Sequence, residues 1–72
     1  MSEEIISMLS NLGALTESKA VSIKLLGNSE KLRDVPLEED LRRLEERGYV
    51  RRSGENVYLT ESGLVRALSR FS

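Results

Sequence analysis

The sequence predicts a small, mainly helical domain of the α+β class: a three-helix core closed by a two-stranded β hairpin and followed by a C-terminal helix. Leu37, Leu41 and Leu44 recur at helical spacing between Pro36 and Gly48, which marks the third helix. Two short, partly β-rich runs, Tyr49 to Arg52 and Val57 to Thr60, flank the polar stretch Ser53-Gly54-Glu55-Asn56, which marks a hairpin with a four-residue loop. A chain of 72 residues holds one domain, residues 1–72, and buries only about 60% of the surface its unfolded form exposes.

The first helix is expected from Ser2 to Leu12. Ser2 is placed as an N-cap, Glu3 and Glu4 lie at the positive end of the helix dipole, and Ile5, Ile6, Leu9 and Leu12 form the apolar stripe. Gly13 supplies the left-handed residue that ends it. Ala14 and Leu15 are too few for an independent strand but can add one rung to a hairpin elsewhere. Thr16 then caps a second helix, with Ala20, Val21, Leu25 and Leu26 on one side and Lys19, Ser22 and Lys24 on the other, closed by Gly27 and Asn28. Ser29 to Val35 reads as an irregular turn or short helix, because the residue before Pro36 is pushed out of helical geometry.

Pro36 is expected at the first position of the third helix, where its missing N–H costs nothing, with Glu38, Glu39 and Asp40 crowding the first turns. Arg47 and Gly48 end that helix as cation and left-handed cap. After the hairpin, Thr60 caps a final helix from Glu61 to Arg70, striped by Leu64, Val65, Leu68 and Phe71.

Composition narrows function more than it defines it. There is no cysteine, so neither a disulfide nor a thiolate metal site is expected, and no histidine, which removes the commonest general base, metal ligand and pH switch. The ten serines have no partner able to deprotonate one in the usual way, neighbouring helix acids such as Glu38 and Glu39 point different ways, and the glycines form no phosphate cradle. A binding protein is expected rather than an enzyme, with no cofactor and no metal. The acidic start and short apolar runs such as Ile5-Ile6 and Leu25-Leu26 predict neither signal peptide nor spanning helix, so a cytoplasmic protein is the expectation. Eight Arg against three Lys, twelve acids and no Gln resemble thermophile usage.

Formal net charge is -1, unlike dedicated duplex binders, whose affinity comes from neutralising phosphates. The charge is uneven. Pro36 to Glu46 holds five acids and two arginines, whereas Arg47 to Gly54 holds three arginines and no acid, so any nucleic-acid patch must be local.

The stretch LRRLEERGYVRRSGENVYLTESG, Leu41 to Gly63, combines L-x-x-L-x-x-x-G-Y-V, basic residues, a polar turn, an apolar strand and L-T-x-x-G. It resembles the second half of winged-helix families that include small archaeal transcription regulators and MarR-like or PadR-like repressors. Leu12 to Gly27, LGALTESKAVSIKLLG, is similar to the family's first-helix exit, minor strand and second helix. The resemblance implies a winged helix-turn-helix that binds double-stranded DNA, with the third helix in the major groove and the hairpin as the wing. Two features depart from it: Asn28 to Val35 is about twice the usual turn before the recognition helix, and that helix opens with Glu38, Glu39 and Asp40.

The DNA contacts this implies are Arg42 and Arg43 on the third helix and Arg51 and Arg52 on the wing, where strand alternation sends the two arginines to opposite faces. Lys19 and Lys24, with Lys31 and Arg33 from the long turn, can extend the patch. The competing expectation is that Glu38, Glu39, Arg42 and Arg43 form i, i+4 ion pairs on a solvated face, each contributing a few tenths of a kcal/mol, and that the wing arginines merely protect a sheet edge. A homodimer through Leu64, Leu68 and Phe71 is one expected partner arrangement. The alternative function is a protein-interaction winged helix with little intrinsic DNA binding, meeting a basic protein at Glu38, Glu39 and Asp40. Few aromatics argue against single-stranded nucleic acid, and no membrane partner is expected.

Overall fold

The computed structural model describes residues 3–69, so the cap expected at Ser2 and the helix end expected at Arg70 and Phe71 lie outside the described residues. Within them the order is α1 (Glu3–Asn11), a 3₁₀ turn (Glu17–Lys19), β1 (Val21–Ser22), α2 (Ile23–Gly27), a second 3₁₀ turn (Glu30–Leu32), α3 (Leu37–Glu46), β2 (Val50–Ser53), β3 (Asn56–Leu59) and α4 (Glu61–Ser69). The strands form an antiparallel sheet in the order β1-β3-β2. The chain is thus α+β, with α1 packed on α4 and β3, and α3 packed on β2. Among the described residues no helix is long and apolar enough to cross a membrane.

Two helix ends are built alike. After α3 the Tyr49 N–H donates to the Leu44 carbonyl at 2.9 Å and the Gly48 N–H to the Glu45 carbonyl at 3.0 Å, with Gly48 at φ +78°. After α1 the Ala14 N–H donates to the Leu9 carbonyl at 3.0 Å and the Gly13 N–H to the Ser10 carbonyl at 3.1 Å, with Gly13 at φ +71°. Each pair satisfies carbonyls that the helix itself leaves open, and the left-handed glycine that permits it is the one the sequence offers. The first exit delivers Ala14, fully buried, to the sheet, where its carbonyl accepts the Leu59 N–H at 2.7 Å. That is the single rung expected there.

The segment expected to be one helix from Thr16 to Gly27 is instead turn, strand and short helix. The Thr16 hydroxyl shares a hydrogen bond with Ser18 and does not cap; Ser22 does, accepting from the Leu25 N–H at 3.4 Å. Val21 pairs with Val57, and a β-branched residue beside another across a sheet is well accommodated there. Smaller corrections follow the same logic of local satisfaction. Pro36 precedes α3 by one residue, its carbonyl taking the Asp40 N–H at 2.9 Å. The hairpin pairs Ser53 with Asn56, so its loop is the two residues Gly54 and Glu55 rather than four. Gly54 has φ +61° and Glu55 is not left-handed, the combination a type II′ turn needs. The long turn before Pro36 holds the short 3₁₀ segment, with Leu32 buried.

The core comprises Ile5, Ile6, Leu9, Ala14, Leu26, Leu32, Leu41, Leu44, Val50, Val57, Leu59 and Ala67. Four residues assigned to apolar faces from their spacing are instead largely exposed: Leu12 at 57%, Leu25 at 68%, Val65 at 61% and Leu68 at 59%. On α4 the buried side is Gly63 and Ala67, with Leu64 partly buried and Val65 exposed. A Cβ on Gly63 would run into the Tyr49 carbonyl oxygen and stand 2.7 Å from Leu59 Cδ1, so α4 closes on the sheet only through a residue without a side chain. Arg66 anchors the other side of α4 through a 2.8 Å ion pair with Glu3, whose hydrogen bond raises the Arg66 pKa above its ordinary value.

Candidate nucleic-acid interface

The register of the hairpin decides where its arginines go. Val50 pairs with Leu59 and Arg52 with Val57, so Arg52 shares the core-facing side of the sheet with three buried residues, while Arg51, opposite Tyr58, stands on the other face. The alternation expected for the two arginines is what occurs, with opposite consequences for each. Arg51 is exposed, and no acidic partner for it exists among the described residues.

Arg52 is drawn onto α3. Its Nη2 donates to Glu38 Oε2 at 3.3 Å, and its Nε lies 3.6 Å from Glu45 Oε1, an ion pair too long to be a hydrogen bond. Glu38 and Glu45 are seven residues apart, two helical turns, and so share the flank of α3 that faces the hairpin. The guanidinium, with its side chain 29% exposed, bridges both turns and ties the hairpin to the helix. An ion pair this wet contributes no more than about 1 kcal/mol, so its main effect is on where charge is displayed. Glu45 has no place among the sequence-derived site residues, although its i+7 relation to Glu38 is visible in the sequence.

The remaining charges of α3 sort themselves around that bridge. Arg43 pairs with Glu39 at 3.2 Å, the i, i+4 arrangement expected of a solvated face, with both side chains more than half exposed. The matching pair of Arg42 with Glu38 does not form, because Glu38 is turned to Arg52. Arg42 is therefore exposed with no acidic partner among the described residues. Asp40, expected to face outward with Glu38 and Glu39, is only 7% exposed; it lies on the side of α3 that carries Leu37, Leu41 and Leu44 into the core. The exposed acids of the helix are thus Glu38, Glu39, Glu45 and Glu46, and the first three have arginine partners.

The lysines are more scattered. Lys24 joins Arg52, Glu38 and Glu55 around a depression of about 320 Å³ between α2, α3 and the hairpin turn. Lys19 sits on the first 3₁₀ turn, which packs against β3. Lys31 lines the opposite kind of surface, an apolar trough beside α1, and Arg33 is exposed at the end of the second 3₁₀ turn. Arg47, expected only as a cap, is a further exposed cation at the end of α3. The hairpin turn itself is pinned: the Ile23 N–H donates to the Glu55 carbonyl at 2.9 Å, holding the turn against the start of α2.

No three His, Cys, Asp or Glu side chains among the described residues are grouped so that they could hold a metal ion. Comparison with protein-family models, curated proteins and solved structures finds no match for this chain.

Proposed function

We propose that this chain is a winged-helix domain that binds double-stranded DNA and serves as a small transcriptional regulator. Its order of helix, short strand, two helices and a hairpin, with the short strand added to the hairpin's second strand, is the order that a winged helix requires. The observation that carries the DNA reading is the Glu38-Arg52-Glu45 bridge. Carboxylates at the front of α3 would repel phosphates, which is the main physical objection to this helix entering a major groove. Arg52 and Arg43 engage three of them from within the protein and offset two of the three negative charges, which leaves Arg42 on the helix and Arg51 on the wing for an outside anion. Lys24, Arg47, Arg33 and Lys19 are the supplementary cations.

If about five phosphates are neutralised, the logarithm of the affinity falls with that of salt concentration at a slope near about -4 to -5. Anisotropy titrations of labelled duplex at several salt concentrations measure it. Absence of binding near about 50 mM salt rules the reading out.

A second reading rests on a different observation. The wing is short, its turn carries Glu55, and the backbone bond from Ile23 holds it down. A wing of this kind reaches poorly into a minor groove and suits a protein-interaction module, in which Glu38, Glu39 and Glu46 meet a basic partner. A Lys/Arg-rich partner retained in a pull-down, and lost on Glu39→Lys and Glu46→Lys substitution, supports this reading when duplex binding is absent.

A further inference from the structure

The four residues that neighbour Arg42 along the surface of its own helix are all carboxylates. Three and four positions away in each direction, the spacing that makes helical neighbours, stand Glu38, Glu39, Glu45 and Glu46. Three of them are engaged: Glu38 and Glu45 by Arg52, and Glu39 by Arg43 at 3.2 Å. Glu46 has no cationic partner among the described residues, and although it stands one turn from Arg42 the two do not pair. At about 100° per residue, Glu46 lies on the crest of α3 opposite the face of Leu37, Leu41 and Leu44, and Arg42 lies on the shoulder toward the hairpin. The outward side of the helix therefore carries one open guanidinium and one open carboxylate, both exposed.

We propose that Arg42 reads a guanine in the major groove and Glu46 a cytosine two base-pair steps away, so that α3 discriminates between sequences rather than gripping phosphates. The proposal rests on the duplex reading above and names what α3 meets there. A phosphate carries a full negative charge, and one drawn to Arg42 would arrive among four carboxylates that two arginines offset only in part. A guanine edge is neutral and offers the paired O6 and N7 acceptors that a guanidinium fork fits, so the surrounding acids oppose it far less. Arg51, on the outer face of the hairpin and away from these acids, keeps the phosphate contact. Glu46 sets the second preference. A carboxylate only accepts hydrogen bonds, so the N4 amine of cytosine matches it, whereas guanine O6 and N7 and thymine O4 oppose it. Four helical residues advance about 6 Å and successive base pairs about 3.4 Å, which sets the two contacts about two steps apart when the helix lies along the groove. An open carboxylate there costs affinity on every sequence that does not supply a donor, the repulsive element on which discrimination depends. The net charge of -1 suits such a reader, because it keeps binding to unrelated duplex low.

Selection from randomised duplexes with the full chain, followed by anisotropy titrations at about 50 mM salt, tests this. The expected sites carry a guanine with a cytosine two steps away. Replacing that guanine by 7-deazaguanine, which lacks N7, weakens binding by about tenfold, whereas inosine, which lacks only the minor-groove amine, leaves it unchanged. In Arg42→Ala the 7-deazaguanine effect disappears. Glu46→Ala raises affinity for an unrelated duplex and erases the preference for cytosine over thymine at its step. Both positions are exposed and unpaired, so the circular dichroism spectra of the variants match that of the parent. Duplex binding without a guanine preference, a 7-deazaguanine effect that survives in Arg42→Ala, or a cytosine preference that survives in Glu46→Ala overturns the proposal while the duplex reading stands. Absence of duplex binding overturns both.

Discussion

The hydroxyl of Thr60 donates to the Gly48 carbonyl oxygen at 2.5 Å and accepts from the Gly63 N–H at 3.1 Å, so one side chain joins the exit of α3 to the start of α4. The Thr60 N–H reinforces the junction by donating to the Tyr49 carbonyl at 3.0 Å. The ends of the hairpin are thereby held together at its open side, where strand pairing stops. With the Ile23–Glu55 backbone bond at the hairpin turn and the Arg52 bridge, this junction holds the hairpin relative to α3.

Replacing Thr60 by Val removes the hydroxyl while keeping its shape, and leaves a carbonyl and an amide without partners. The expected loss is about 1–2 kcal/mol, which in a domain this small lowers the melting temperature by several degrees. Thr60→Ser retains both bonds and most of the stability. Urea unfolding of the parent and the two variants checks this; equal midpoints for the parent and Thr60→Val would show that the junction is held by other contacts.

Two glycines are required for different physical reasons, and substitution separates them. Gly48 has φ +78° and open space where a Cβ would stand, so Gly48→Ala costs about 1 kcal/mol through backbone strain alone. Asn at the same position costs less, because it tolerates left-handed geometry. Gly63 has ordinary backbone angles but faces the Tyr49 carbonyl, so Gly63→Ala costs more, about 1–3 kcal/mol, and Asn there is worse than Ala. A reversed order of Ala and Asn at either site contradicts the assignment.

What the sequence disclosed, and what it hid, divides along contact distance. The exits at Gly13 and Gly48, the cap at Thr60 and the leucine face of α3 were readable because each is settled within one or two helical turns. Strand β1 was not, because its two residues acquire strand geometry only by pairing with Asn56 and Val57, far along the chain. Spacing likewise identified apolar stripes on α1, α2 and α4 without telling which member lay beyond the edge of the core, and so misplaced Leu12, Leu25, Val65 and Leu68. At the candidate site, period-two alternation separated Arg51 from Arg52. The two carboxylates that claim Arg52 depend on the register of hairpin against helix, which no local pattern carries.

The bridge over α3 is mostly a matter of charge display, and its energetics follow from its exposure. A double-mutant cycle on Glu45→Gln and Arg52→Met should give a coupling below about 1 kcal/mol at low salt, shrinking as salt is raised. A coupling of several kcal/mol, insensitive to salt, would mean that the pair is effectively buried and that Arg52 is a structural residue only.

Arg51 and Arg52, neighbours in sequence, should behave differently when duplex DNA is titrated. Arg51 projects from the outer face without an acidic partner among the described residues, so Arg51→Ala removes one phosphate contact and lowers the magnitude of the salt slope by about 0.9, with similar loss on all sequences. Arg52 is engaged by Glu38 and Glu45, so Arg52→Ala removes little direct contact but uncovers two carboxylates beside the phosphates. Affinity then falls while the slope stays near that of the parent. The decisive variant is Glu45→Gln, which takes away one of the two acids holding Arg52 and lets the guanidinium swing toward the DNA. Affinity and salt slope should both rise. If Glu45→Gln weakens binding, or if Arg51→Ala leaves affinity and slope untouched, the hairpin does not meet the phosphate backbone and the acidic face of α3 is the surface to pursue.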